Sequence, residues 1–148
     1  MKSIIIYEST HHENTKKLVD ALAKKHNMET VSIESAESVD LSGYDIIGLA
    51  AGIAFGKFYK RMEEFAVKIP SGKRVFLLYT CGNPGGGYVK SITKTLESNG
   101  VKVMGSYGCR GYDTYGPFKL VGGIAKGHPT EEEIDGAVAF YDKISGGE

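Results

Sequence analysis

Apolar residues along this chain alternate between two patterns: short dense runs rich in β-branched side chains, and longer stretches in which they recur every three or four positions. The first run, Lys2-Ser3-Ile4-Ile5-Ile6-Tyr7, predicts a strand, and Lys16 to His26, with Leu18, Val19, Leu22 and Ala23 on one side, predicts a helix. Met28 to Glu34 alternates weakly and predicts a second strand. After a polar stretch, Asp45 to Ala51 is apolar enough for a third strand buried on both faces. Phe58, Met62, Phe65, Ala66 and Ile69 mark one face of a helix that Pro70 stops. Lys73 to Thr80 is the fourth strand. Val89, Ile92 and Leu96 set a helix with Gly100 at its C-terminal cap, and Val101 to Ser106 is the fifth strand. A last helix opens at Thr130, where Thr130 and Glu133 have capping-box spacing, and carries Ile134, Ala137, Val138 and Tyr141 on one side.

Five strands with intervening helices imply an α/β fold: a doubly wound parallel sheet covered on both faces, in three layers. The 148 residues make a single domain, 1–148, with no linker. In such a sheet ligands bind beyond the carboxyl ends of the strands, where strand order reverses. Three segments fall there: residues 8–15, 51–57 and 80–88.

The first segment, Glu8-Ser9-Thr10-His11-His12-Glu13-Asn14-Thr15, leads from a strand into a helix N-terminus. First-turn N–H groups lack intrahelical acceptors and the helix dipole adds partial positive charge, so Ser9, Thr10, Asn14 and Thr15 can complete a ring of donors around a phosphate monoester. The other two segments, Ala51-Gly52-Ile53-Ala54-Phe55-Gly56 and Thr80-Cys81-Gly82-Asn83-Pro84-Gly85-Gly86-Gly87, combine small side chains with accessible backbone, which lets a flat ring system lie against the main chain.

These three loops together resemble the flavodoxin family. The resemblance covers the whole chain and is nearest to a branch with a Ser-x-His-His-x-Asn-Thr phosphate loop and a tail matching Asp113-Thr114-Tyr115-Gly116-Pro117-Phe118-Lys119. It implies a flavodoxin-like sheet of order 2-1-3-4-5 and an FMN cofactor. It also implies a phosphate held by Ser9, Thr10, His11, Asn14 and Thr15, and a flavin ring held between Ala51, Gly52, Ile53, Ala54, Phe55 and Gly56 on one side and Thr80, Cys81, Gly82, Asn83 and Gly85 on the other. This chain departs from the family pattern in three ways. Glu13 stands where glycine is common, Trp is absent with Gly86 near the place of a stacking tyrosine, and the net charge is zero where flavodoxins are acidic.

Charge and composition narrow the function. Eighteen basic and eighteen acidic residues disfavour nucleic-acid or membrane-surface binding, and no apolar run reaches the length of a membrane span or signal peptide, so a cytoplasmic protein is expected. Adjacent His11 and His12 lack metal-ligand spacing. Cys81 and Cys109 read either as small hydrophobes or as a redox pair near the flavin. Phe55 and Tyr88 read equally as ring or core contacts, and Tyr7 and Tyr79 as core. A phospho-receiver domain is excluded because Ala50-Ala51-Gly52 supplies no acid at the end of the third strand. Two roles remain: an electron carrier working with redox partner proteins, and an FMN-dependent NAD(P)H:acceptor oxidoreductase whose long connection, residues 107–129, forms a lid with Tyr112 or Tyr115 on the flavin. Lys57, Lys60, Arg61, Lys90, Arg110, Lys119 and Lys126 outnumber Asp113, Glu8 and Glu13 around the three segments, so partners with an acidic docking patch are expected.

Overall fold

The computed structural model describes residues 2–9, 14–82, 87–111 and 127–146. Its elements are β1 (Ser3–Glu8), α1 (Asn14–His26), β2 (Glu29–Ser32), β3 (Ile46–Ala54), β4 (Lys57–Phe58), α2 (Lys60–Ala66), β5 (Arg74–Cys81), α3 (Lys90–Ser98), β6 (Lys102–Arg110) and α4 (Glu131–Gly146). Five strands pair in parallel in the order β2-β1-β3-β5-β6, and the short β4 folds back antiparallel on β3. With β4 set aside this is the expected 2-1-3-4-5 order. Its reversal lies between β1 and β3, whose partners run from Ser3 with Ile46 to Glu8 with Ala51.

Period-two alternation sends successive strand residues to opposite faces, and each face builds one core. Ile4, Ile6, Leu49, Val75 and Leu77 pack against Met62, Phe65 and Ala66 of α2 and Ile92 and Leu96 of α3. Ile5, Ala50, Phe76 and Leu78 meet Leu18, Val19 and Leu22 of α1 and Ala137 and Tyr141 of α4. The caps expected from sequence form. Glu133 Oε1 accepts from the Thr130 N–H (2.8 Å), while Thr130 Oγ1 accepts from the Glu133 N–H (3.1 Å). After α3, the Gly100 N–H reaches the Glu97 carbonyl and the Val101 N–H the Leu96 carbonyl.

Four boundaries differ from the sequence reading. The second strand shortens to four residues. The crossover from β2 to β3 is made by two 3-10 turns, Ile33–Ser38 and Leu41–Gly43, opened by the side chains of Ser32 and Asp40. Phe58 belongs to β4 rather than to the helix, and Ile69 lies beyond its end. The fifth parallel strand runs to Arg110, past Gly105 and Gly108, so the long connection begins at Gly111 instead of 107. Gly108 hid the end of this strand because it carries no apolar side chain, yet it sits beneath Tyr79.

Candidate functional site

The carboxyl ends of β1, β3, β5 and β6 and the first turn of α1 converge at one edge of the sheet. Asn14, Thr15 and Thr80 are the buried polar side chains among the described residues, and all three lie here. Thr15 Oγ1 and Thr80 Oγ1 are 2.8 Å apart, joining α1 to β5. Ser9 Oγ accepts from the Lys16 N–H (3.1 Å), tying the end of β1 to the first turn of α1. The Gly111 N–H donates to the Cys81 carbonyl (2.9 Å), which draws the end of β6 across the site. A Cβ at Gly111 would stand 2.7 Å from Asn14 Nδ2, so only glycine allows this approach. Burying three polar side chains is costly unless they find partners, and the donors at a helix N-terminus suit an anion.

After β3 the chain turns through Phe55 and Gly56, with φ of +55° and +79°, and returns as β4, pairing Ala54 with Lys57. Positive φ at both central residues is the signature of a tight type I′ hairpin. Phe55 is 91% exposed, which removes the core reading for this ring. A bulky residue in left-handed conformation, with its ring in solvent, is an outlier of the kind found at ligand sites. Ala51 and Gly52 are instead buried and Ile53 and Ala54 half-buried. The Gly52 carbonyl accepts from the Tyr59 N–H (3.2 Å) and the Tyr59 phenol stands where a Gly52 Cβ would be. Freedom of the backbone in this segment therefore rests at Gly56, which has no atom within 4 Å of a Cβ position.

The aromatic residues behind the loops form a connected series. Phe58 and Tyr79, and Tyr79 and Tyr88, meet edge to face with centroids 5.9 Å apart. Tyr7 and Tyr79 pack against the two cores, as expected. Burial raises the pKa of Tyr79, and of Tyr107, whose hydroxyl donates to the Glu133 carbonyl (2.7 Å).

Two sequence expectations change. Cys109 packs with the α1/α4 core, whereas Cys81 follows Thr80, which faces α1, so alternation turns Cys81 to the opposite side. The Cys81 thiol donates to the Cys109 carbonyl (3.6 Å), and burial pushes the Cys109 thiol up to about 12. The redox-pair reading is not supported by this placement. Glu8 turns from the phosphate loop toward α2. Burial raises its pKa, opposed by Arg61 and the Met62 N–H and reinforced by Glu34.

Ser9, Asn14, Thr15, Phe55, Gly56, Thr80, Cys81 and Gly82 thus gather at one edge, while Thr10, His11, Asn83, Gly85, Tyr112 and Tyr115 lie outside the described residues. Sequence reasoning missed Tyr59 and Gly111. Tyr59 sits in a run that reads as helix, and the approach of Gly111 to Asn14 has no local signal.

A family model described as "Flavodoxin domain" matches residues 4–101, well over half of the chain. An uncharacterised protein of Methanocaldococcus jannaschii is 37% identical over 147 residues, covering 97% of this chain and 98% of that protein. The solution structure of two-electron reduced flavodoxin from Megasphaera elsdenii is similar with a TM-score of 0.65 at 19% identity, over 93% of this chain and 98% of that one. The flavodoxin, WrbA-like protein from Agrobacterium tumefaciens gives 0.67 at 10% identity, over 98% and 95%. At such identities the structural matches establish the fold alone. Family and fold together support a flavin cofactor and a redox function. By the match along its sequence and the order of its strands, this chain belongs to the flavodoxin domain family.

Proposed function

We propose that this protein binds FMN and works as an electron carrier between redox partners. The observation that carries this reading is the buried cluster of Asn14, Thr15 and Thr80 at the N-terminus of α1, closed over by Gly111. The residues present fit the group. When bound, FMN supplies reversible uptake of one or two electrons.

The phosphate is held by Ser9, Thr10, His11, Asn14 and Thr15. A hydroxyl has one donor and two acceptor positions, so Thr80 can donate to Thr15 and leave the Thr15 O–H free to donate to a phosphate oxygen. Thr80 thereby sets the direction of the Thr15 proton. First-turn N–H groups of α1 add donors and a favourable dipole. A terminal dianion suits this arrangement, and nothing in the sequence supplies a second phosphate or adenosine site, so FMN is preferred to a dinucleotide flavin.

Phe55 would lie against the ring on one side, and Thr80, Cys81 and Gly82 would border it on the other. The Gly56 peptide, with φ +79° and open space around it, could turn to offer the ring a hydrogen-bonding group. The Gly52 carbonyl is committed to Tyr59 and takes no part.

Stepwise anaerobic reduction of the FMN-loaded protein, followed by absorption, tests the carrier reading. A one-electron-reduced species that persists at half reduction is the expected result. Direct two-electron bleaching by NADH or NADPH with no radical would assign the oxidoreductase role instead.

A further inference from the structure

Exposed cations cluster at the carboxyl edge of the sheet. Lys57 in β4, Lys60 at the start of α2, Lys90 at the start of α3 and Arg110 at the end of β6 are all exposed, and none makes an ion pair among the described residues. Lys60 and Lys90 belong to α2 and α3 and lie on the side those helices cover, while Lys57, next to the core residue Phe58 and paired with Ala54, turns away from that side at the same edge. Cys109 packs on the α1/α4 side, so alternation along β6 turns Arg110 back toward α3. Lys90 lies along Gly87, with its Cε 3.5 Å from where a Cβ would stand. Lys94, one turn further along α3, lines a groove with Val89, Lys90, Thr93 and the acid Glu97.

The acids on this side are largely engaged. Glu34 pairs with Arg61 (3.9 Å), Glu8 is half-buried beside the same guanidinium, and Glu63 accepts from the Ser91 hydroxyl (2.7 Å). Glu64 and Glu97 lie further down α2 and α3. Exposed Glu131, Glu132 and Asp135 stand on α4, on the opposite face. From β3 to β6 the cations span two strand intervals, roughly 10 Å, before side-chain reach is added. A single phosphate requires convergent donors, whereas these point outward over a broad edge that begins beside the exposed Phe55.

We infer that Lys57, Lys60, Lys90 and Arg110 form the docking surface for the acidic face of a redox protein partner. This inference rests on the FMN reading only in placing electron transfer beside that surface. Contact there sets the partner's redox group next to the cofactor edge. One electron then leaves the reduced partner for the oxidised flavin, and the accompanying proton comes from solvent. Opposite charge raises encounter rates by about 10–1,000-fold at low salt and loses that advantage once screening shortens the reach of the field.

The probe is a small acidic ferredoxin, reduced with dithionite and mixed in stopped flow with the oxidised FMN-loaded protein; the basic counterpart is oxidised cytochrome c, mixed with the reduced FMN-loaded protein. The expected result is a second-order rate with ferredoxin that falls at least about tenfold between 10 mM and 500 mM salt, and a rate with cytochrome c that rises. A Lys57→Gln, Lys60→Gln, Lys90→Gln, Arg110→Gln variant is expected to react with ferredoxin at low salt at nearly the high-salt rate of wild type. NMR of the labelled protein, with and without FMN, is expected to show ferredoxin shifting amides near residues 57–60, 90 and 110. A rate with ferredoxin that ignores salt, a variant as fast as wild type, shifts confined to α4, or dimerisation of the protein through that helix would each overturn the docking surface. Absence of FMN uptake with those amide shifts retained would overturn the cofactor reading while leaving the surface standing.

Discussion

At the scale of single residues, the account turns on which polar groups are buried and what they touch. Thr15 and Thr80 donate and accept across 2.8 Å in a buried setting, so removing either hydroxyl strands the other. Thr15→Val or Thr80→Val alone is expected to lower unfolding free energy by about 1–3 kcal/mol, while the double variant loses less than the sum. Chemical denaturation of the four proteins closes that cycle, and FMN affinity of Thr80→Val reports whether the pair also directs the phosphate. Glu8 offers a second, pH-dependent test. Its carboxyl is raised in the folded chain by burial, so its charged form carries a penalty that is absent at low pH and grows as pH rises from the unfolded value through the folded one. Glu8→Gln is therefore expected to be more stable than wild type at pH 7, with the gain vanishing below the ordinary carboxylate range. Thermal melts across pH 3 to 8 check this, and a stability gain that persists at pH 3 would refute it. The polar cluster itself was legible from Ser9, Asn14 and Thr15 ahead of a helical repeat, but the Thr15–Thr80 bond was not, because it joins residues 65 apart in sequence.

At the scale of elements, the β3–β4 hairpin is the feature that sequence reading could not supply. Phe-Gly is not a favoured pair for a type I′ turn, where Asn-Gly or Asp-Gly lead, and the spacing of Phe58 with Met62 fits a helix equally well. What overrides propensity is the last stretch of β3, where Ile53 and Ala54 still offer backbone groups for β4 to pair. A non-glycine residue at φ +55° costs about 1–2 kcal/mol, which Asn largely escapes. Phe55→Asn is accordingly expected to stabilise the cofactor-free protein by about 0.5–1 kcal/mol and to weaken FMN binding, since the covering ring is lost. Paired melts and FMN titrations would show both changes. Loss of stability, or unchanged affinity, would mean that Phe55 serves the fold and not the ligand. Elsewhere the long periodic segments α1, α3 and α4 were read correctly, because their apolar faces and caps are local. Boundaries at β6 and the 3-10 crossover depend on neighbours distant in sequence.

At the scale of the whole molecule, strand order, face-by-face cores and the position of the polar cluster agree with one another. Parallel strands connected by α1, α2 and α3 force the loops after β1, β3 and β5 to one edge, and the order reversal between β1 and β3 opens a crevice there. Sequence alone conveyed this much, since alternation of strands and helices fixes the architecture and the architecture fixes where a ligand must sit. The charge carried by each face was not conveyed, because side-chain direction at Arg110 and Lys90 follows from register and packing. The central claim is that this edge binds FMN by its phosphate. Fluorescence titration of the cofactor-free protein with FMN and with riboflavin, which lacks the phosphate, tests it most directly. The account predicts saturable one-to-one binding of FMN at least about tenfold tighter than riboflavin, a difference of roughly 1.4 kcal/mol or more. Equal affinity for the two flavins, or no binding of FMN, would contradict it.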